Sequence, residues 1–247
     1  RVPFARNSNA GFGSAVHYAL EQFFNEKKSP KSEGFGSAGL LTEFFTKGMH
    51  IYRSHFNDEE YERLIHFGEK ILTDYHADQL EKWFKVENFK TEHKISNVEY
   101  QNVPIKGVID KVEILKEQIN VVDYKTGNPD NAKKKMYPPK KEDDNGGDYW
   151  RQIVFYKMLV DNDPKTSWVV QSGEINLIEP DKKNAFQQFK LVISQKDMDI
   201  VGEQLTRTYK SIKNHEFRVG CSDKDCVWCN FVKDRVMELN PTRTEED

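Results

Sequence analysis

The chain has 247 residues, 37% of them hydrophobic and 31% charged, with a formal net charge of −3. This composition suits an ordinary soluble protein with a sizeable core, and it lacks the overall basic charge that marks many nucleic-acid-binding proteins. No run of about 18 apolar residues is available to cross a membrane, and the N-terminus has no hydrophobic signal, so we expect a cytoplasmic protein with no membrane partner. The abrupt start, RVPF, suggests a segment excised from a longer chain.

Helical spacing of apolar residues dominates the first third of the chain. Ser14 is a candidate N-cap for the first helix, and Asn57 or Asp58 opens the third. A stretch rich in Ser, Gly and Pro separates the first two helices. The predicted helices cover residues 13–24, about 38–56 and 58–84.

Alternating apolar and polar residues follow, a pattern that is typical of strands. Residues 127–148 are rich in Pro, Gly and charge and predict a long mobile loop. A helix over DYWRQIVFYKMLVDN comes next, then two strands and a helix at about 196–214. The predicted strands are KVENFKTEHKI, VEYQ, VPIKGVIDKVEIL and INVVDYKT, which form an antiparallel meander before the loop, and SWVVQSGEINLIE and QFKLVIS after it.

This order of elements favours a single α/β domain over residues 1–247, in which helices flank a sheet. Within it we distinguish a helical insertion at 26–84, a segment at 85–195 that holds the sheet, and a C-terminal segment at 196–247. The last segment contains a helix, three cysteines and a charged tail.

Two charged residues interrupt the otherwise apolar strand INVVDYKTG. If Lys116 and Glu117 form a two-residue turn, Asp110 faces Asp123 across the hairpin, and Lys125 follows on the same face. Opposed carboxylates repel each other, and burying an unpaired carboxylate is costly, so the pair needs a compensating positive charge. The same register pairs Ile114 with Ile119 and Val112 with Val121.

A divalent cation between the two aspartates would supply that charge. Oxygen ligands suit Mg²⁺ or Mn²⁺, and the backbone carbonyl of Tyr124 offers a further oxygen. Lys125 would then lie beside the metal, where an ammonium group stabilises charge developing on a phosphoryl oxygen or positions a water. The pattern alone leaves a second interpretation open, a surface hairpin in which Lys125 simply pairs with a carboxylate.

Four motifs occur along the chain in the order GSAVH at 13–17, GVID at 107–110, VVDYKTG at 121–127 and QIVFY at 152–156. Together they resemble the motifs of RecB-type nucleases in the PD-(D/E)XK superfamily. The resemblance implies a restriction-endonuclease-like core, a mixed central sheet flanked by helices, which cleaves DNA with bound Mg²⁺. It also implies that Asp110 and Asp123 are metal ligands and that Lys125 is the catalytic lysine.

The same resemblance gives roles to three further residues. His17 lies where RecB-like nucleases place a metal-binding histidine, and Gln152 and Tyr156 form the QxxxY pair that contacts DNA or orders the lysine. Taken alone, a single helical histidine is more often a core or surface residue. Without the resemblance, the Gln–Tyr spacing predicts only a half-buried Tyr beside a solvated Gln on one face of a helix.

Two features stay open. Glu92 is placed to lend a further carboxylate to the site, but Glu87 and Glu99 are equally placed by the sequence. The lysine runs at 133–135 and 140–141 are candidates for holding phosphates near the site, and a solvated loop balanced by acidic neighbours explains them equally well.

The cysteines, Cys221, Cys226 and Cys229, have the spacing C-x₄-C-x₂-C. This spacing suits a metal, and His215 is available to complete a zinc site. Several RecB-like nucleases instead hold an iron–sulfur cluster with three such cysteines and a fourth ahead of the GSAVH helix. The present sequence has only the trailing three, so either the fourth ligand belongs to a missing segment or the thiols are free.

The C-terminal region, from DYWRQIVFYKMLVDNDP to the cysteines, resembles the tail of UvrD/Rep-type helicases with a fused nuclease. The chain itself has no GxxxxGK[ST] phosphate loop. We therefore expect the nuclease domain of an ATP-dependent helicase–nuclease in DNA repair or end processing, with DNA and the helicase domains of the same longer chain as partners. The alternatives are a non-catalytic DNA-binding scaffold with a nuclease fold and a structure-specific or CRISPR-adaptation nuclease of the same branch.

Overall fold

The computed structural model describes residues 7–27, 34–141, 143–216, 220 and 224–239. The chain divides into two compact units, residues 1–202 and 203–247. No helix within the described residues is long and apolar enough to span a bilayer. In chain order the elements are α1 Ser8–Lys27, α2 Ala38–Ile51, a 3-10 turn Arg53–His55, α3 Asp58–Phe84, β1 Asn88–Tyr100, β2 Val103–Leu115, β3 Gln118–Lys125, α4 Pro129–Lys133, α5 Asp148–Asp161, β4 Val169–Pro180, β5 Phe186–Leu191, α6 Gln195–Lys213 and α7 Val227–Leu239.

One five-stranded sheet organises the first unit, and its strands lie in sequence order from β1 to β5. The β1–β2, β2–β3 and β4–β5 pairs are antiparallel, and β3 runs parallel to β4. A parallel pair needs a crossover connection, which the chain makes through α4 and α5. This mixed sheet flanked by helices confirms the predicted fold class.

Polar caps decide where the first and third helices begin. Asn7 Oδ1 accepts a hydrogen bond from the backbone N of Ala10 at 3.0 Å, so α1 starts at Ser8 and the predicted cap at Ser14 is wrong. The residues ahead of Gly13 are mostly small or polar, so the apolar periodicity does not reveal this first turn. Asn57 caps α3 as predicted, in a capping box with Glu60.

Two segments differ from their predictions. The second helix ends at Ile51 rather than near residue 56, because the chain tightens into a 3-10 turn. The predicted loop at 127–148 contains the short helix α4, which Asn128 caps by accepting from Asp130 N at 2.8 Å. Pro129 sits at the start of α4, where a missing N–H costs nothing and a fixed φ favours the helix.

Helices cover both faces of the sheet. Val122 and Tyr124 of β3 belong to the core built by α1, α2 and α3. Val121 points the other way, and a Cβ added at Gly173 would lie 3.1 Å from Val121 and only 2.3 Å from Ile153 of α5. The glycine therefore lets α5 pack closely on the face of β3 that also carries Asp123.

A charged network is buried among these elements. Lys111 is 1% exposed, and its Nζ lies 2.8 Å from Glu113 Oε1 and 4.5 Å from the centre of the Phe24 ring. Burial alone would raise the pKa of Glu113, but Lys111 and a hydrogen bond from Asn120 lower it overall. Burial and the charge of Glu113 raise the pKa of Glu174.

These opposite pKa shifts predict different effects of two matched substitutions on stability. Glu113→Gln leaves Lys111 buried without its counter-charge and should lower the free energy of unfolding by about 3 kcal/mol. Glu174→Gln removes an unfavourable buried charge, keeps the acceptor for Asn176, and should cost no stability at pH 7. A carboxyl group whose pKa is lower in the folded than in the unfolded protein contributes its full stabilisation only above the unfolded pKa. The stabilisation by Glu113 should therefore decrease as the pH falls below about 4.5. Urea unfolding of both variants from pH 7 to pH 3 tests this, and an equal loss in both would contradict it.

Candidate active site

Asp110 and Asp123 come together at the end of the β2–β3 hairpin. The structure pairs Ile114 with Ile119 and Val112 with Val121, which confirms the predicted register. The ladder between β2 and β3 ends with Lys111 opposite Val122, so the next position along both strands brings Asp110 opposite Asp123. The backbone N of Tyr124 donates to Asp110 Oδ2 at 2.8 Å, which fixes this carboxylate beside β3.

Glu92 extends this pair into a row of three carboxylates. Thr91 pairs with Lys111 and His93 pairs with Ile109, so Glu92 occupies the position opposite Asp110. Its backbone has a φ of +45°, a region that few residues other than glycine adopt. The row therefore crosses three adjacent strands, with Asp110 in the middle.

His17 reaches this row from α1. Its Nδ1 lies 3.4 Å from Asp110 Oδ2, and the ligand atoms of His17, Glu92 and Asp110 all lie within 4.8 Å of one another. The three line a cavity of about 400 Å³ that Ser14 and Glu21 also line. The helix thus supplies an imidazole to two carboxylates of the sheet.

Asp123 is held differently, because its oxygens face α5 and Lys125. The residue is 1% exposed, and its Oδ1 accepts hydrogen bonds from Gln152 Nε2 and Tyr156 Oη, both at 2.7 Å. Its Oδ2 forms an ion pair with Lys125 Nζ at 2.7 Å. Apart from this ion pair, Oδ2 has no hydrogen-bond partner among the described residues.

A family model described as the PD-(D/E)XK nuclease superfamily matches residues 2–233. The chain belongs to the PD-(D/E)XK nuclease superfamily. A search of curated proteins finds no match.

Solved structures of low sequence identity are similar to this PD-(D/E)XK domain. A protein from Eubacterium rectale that is provisionally named an exonuclease aligns with 97% of the chain and 94% of its own length, at 14% identity and a TM-score of 0.49. The protein SSO0001 aligns with 80% of the chain and 85% of its own length, at 15% identity and a TM-score of 0.33. At these values neither likeness adds to the assignment made by the family model.

Burial and crowding of like charges shift the acids of this PD-(D/E)XK site. Burial and the charge of Asp110 raise the pKa of Glu92 to about 7. The same two causes raise the pKa of Asp123, although Lys125 and Tyr156 oppose the shift. Burial would lower the pKa of His17, but the contact with Asp110 outweighs it and raises that pKa. The row therefore favours added positive charge, as a proton or a cation.

The donor set of the PD-(D/E)XK site fits a divalent cation. His17, Glu92 and Asp110 offer one imidazole and two carboxylates at mutual distances that one ion can span. The buried Oδ2 of Asp123, which lacks a hydrogen bond, is a further acceptor in the same region. Of the predicted metal residues, the structure groups His17 with Asp110, whereas Asp123 lies outside that three-residue cluster. The predicted role of the Tyr124 carbonyl stays a prediction.

The structure also separates the three candidate glutamates. Glu92 joins the cluster, while Glu87 and Glu99 are exposed and lie outside it. Of the cysteines, Cys221 lies outside the described residues, and Cys226 and Cys229 are partly buried at the start of α7. Metal binding by the cysteines, with or without His215, therefore stays a prediction.

The raised pKa of Glu92 predicts a stability profile in the metal-free protein. A carboxyl group whose folded pKa exceeds its unfolded value costs stability as the pH rises from about 4.5 to about 7. Glu92→Gln should therefore be more stable than the wild type at pH 8, and the difference should be smaller at pH 5 and vanish below about pH 4.5. We expect a difference on the order of 1 kcal/mol, because solvent screens this half-exposed group.

Adding Mn²⁺ provides the second arm of the same test. At pH 8 the ion should raise the melting temperature of the wild type and do so much less for Glu92→Gln, because a ligand that binds only the folded state stabilises it. Thermal unfolding at pH 5 and pH 8, with and without Mn²⁺, gives both readouts. An equal Mn²⁺ shift in both proteins would show that Glu92 does not hold the ion.

Proposed function

We propose that the chain is a metal-dependent deoxyribonuclease that hydrolyses phosphodiester bonds of DNA. The observation that carries the proposal is the joint arrangement of His17, Asp110 and Glu92 beside the ion pair between the buried Asp123 and the partly exposed Lys125. Membership of the PD-(D/E)XK nuclease superfamily supports the reaction class. The RecB-like branch is supported by the order of the four sequence motifs.

The cation would be held by His17, Glu92 and Asp110, near Asp123. When bound, a divalent cation polarises a phosphoryl oxygen and lowers the pKa of a bound water. Lys125 lies beside this site with 23% of its side chain exposed, so its ammonium group is available to a phosphate from solvent. We assign Lys125 the stabilisation of negative charge that develops on the phosphoryl oxygens.

Gln152 and Tyr156 are positioning residues in this proposal. Both donate to the same oxygen of Asp123, and Gln152 Nε2 also lies 2.8 Å from Tyr156 Oη. Burial and the neighbouring Asp123 carboxylate raise the pKa of Tyr156 far above its usual value, so the phenol keeps its proton and remains a donor. These bonds hold Asp123 in one orientation, which leaves its other oxygen directed to Lys125.

A non-catalytic DNA-binding scaffold is the second candidate. The intact set of Asp110, Asp123 and Lys125 argues against it, because a buried, strained acid cluster costs stability and serves no purpose in a scaffold. A cytoplasmic location, the link to helicase domains and a role in repair or end processing remain predictions from the sequence.

Substitutions at Asp123 and Lys125 should separate metal binding from chemistry. Asp123→Ala should abolish cleavage and weaken Mn²⁺ binding, because it removes the carboxylate that anchors Lys125 and adjoins the metal cluster. Lys125→Ala should retain Mn²⁺ binding while the rate of cleavage falls by a factor on the order of 10² or more. Calorimetric titration with Mn²⁺ and cleavage of linear DNA measure the two effects on each variant.

Lys157→Ala is the matched control, because Lys157 forms an ion pair with Asp161 on α5. This variant should cleave DNA at the wild-type rate. If Asp123→Ala still cuts DNA, the assignment of this site is wrong. If the wild type neither binds Mn²⁺ nor cuts DNA, the scaffold function is correct instead.

A further inference from the structure

A second cavity, of about 200 Å³, lies beyond the end of β3. It differs from the acidic cavity at His17 because none of the described residues that line it is acidic. Neutral hydrogen-bond donors and one cation line it instead, among them Thr126, Asn128, Asn131, Lys135 and Tyr149. A lining of this kind suits an anion, whereas the cavity at His17 suits a cation.

Tyr149 brings Lys135 into the neighbourhood of the proposed catalytic lysine. The Nζ of Lys125 lies 5.5 Å from the centre of the Tyr149 ring, and the Nζ of Lys135 lies 5.0 Å from the same point. Both distances are in the range of cation–π contacts, so one ring attracts both ammonium groups.

The two lysines differ in how their charge is compensated. Lys125 is paired with Asp123, whereas no carboxylate of the described residues lies within salt-bridge distance of Lys135. Within the described part of the chain, the positive charge of Lys135 therefore has no ion-pair partner. A phosphate group would compensate it.

The backbone of Lys135 is fixed against the helix that organises Asp123. The backbone N of Trp150, in the first turn of α5, donates to Lys135 O at 3.1 Å. A Cβ added at Gly147 would lie 2.1 Å from that same oxygen, so only glycine permits this approach. The position of Lys135 is thereby tied to α5, which also carries Gln152 and Tyr156.

We propose that Lys135 binds a backbone phosphate of DNA next to the one that is cleaved, and that Tyr149 positions it. This inference rests on the proposed function, which supplies DNA as the substrate. Lys135 is a binding residue in this account, and Tyr149 is a positioning residue. Two phosphates of one strand would then contact Lys125 and Lys135 respectively.

The test measures binding of a short fluorescent DNA to the full chain in EDTA at several salt concentrations. Lys135→Ala should raise Kd by about tenfold at low salt. It should also reduce the slope of log Kd against log salt concentration by about one, as loss of one phosphate contact does. Lys135→Arg should restore both values, and the nearby exposed Lys133→Ala is the control that should leave them unchanged.

Two variants of Tyr149 separate positioning from general structure. Tyr149→Phe keeps the ring and should bind DNA as the wild type does, whereas Tyr149→Ala should weaken binding. In cleavage assays with Mn²⁺, Lys135→Ala should raise KM far more than it changes kcat. A fall in kcat with unchanged KM would contradict the assignment.

The outcomes also distinguish this inference from the proposed function. If the wild type cuts DNA but Lys135→Ala keeps its affinity and salt slope, the phosphate site is wrong and the nuclease stands. If the wild type binds DNA through Lys135 yet never cuts it, the phosphate site stands and the nuclease is wrong. If Lys133→Ala and Lys135→Ala lose the same amount of DNA affinity, diffuse electrostatic attraction explains the binding and the phosphate site is wrong. If the wild type does not bind DNA at all, the phosphate site is also wrong.

Discussion

A buried carboxylate, Asp123, connects the sheet to α5 and constrains everything around it. At 1% exposure it cannot rely on water, so its charge must be met by neighbouring groups. Gln152 and Tyr156 satisfy one oxygen from α5, and Lys125 faces the other from the same strand. The close approach of α5 at Gly173 makes these contacts possible, which links a packing feature of the fold to the candidate chemistry.

Around this carboxylate the molecule separates its charges into two regions. On one side, His17, Glu92 and Asp110 concentrate negative charge, and the raised pKa of Glu92 reflects that crowding. On the other side, Lys135 adds a positive charge beside Tyr149 that has no ion-pair partner among the described residues. A cation and a polyanion are the natural complements of these two regions, and the proposed metal-dependent nuclease would bind both.

The sequence predicts one half of the candidate site better than the other. The two-residue turn at Lys116–Glu117 sets the β2–β3 register, so Asp110 and Asp123 follow from counting residues. Glu92 does not, because β1 carries an extra residue between Ile95 and Val98 that shifts its pairing with β2 by one position. Without that bulge, His93 would lie opposite Asp110. Nothing in a single sequence marks such a bulge, although Asn97, with a φ of +61°, is a residue that tolerates the conformation.

Helix contacts with the sheet are equally hidden in the sequence. The apolar pattern predicts α1 and α5, but the placement of these helices on the sheet depends on the packing of many side chains. Only the family resemblance therefore indicates His17, Gln152 and Tyr156 as site residues. The helix α4 was missed because charge and proline dominate residues 127–148, whereas the Asn128–Pro129 pair is itself a helix start.

The most direct test of this account is a crystal structure of the protein soaked in Mn²⁺, with anomalous scattering used to locate the ion. The account predicts a single strong peak in contact with His17, Glu92 and Asp110, on the side of Asp123 that faces Lys125. A peak elsewhere, or none in a protein that cleaves DNA with Mn²⁺, would contradict the assignment of this acidic row as the metal centre.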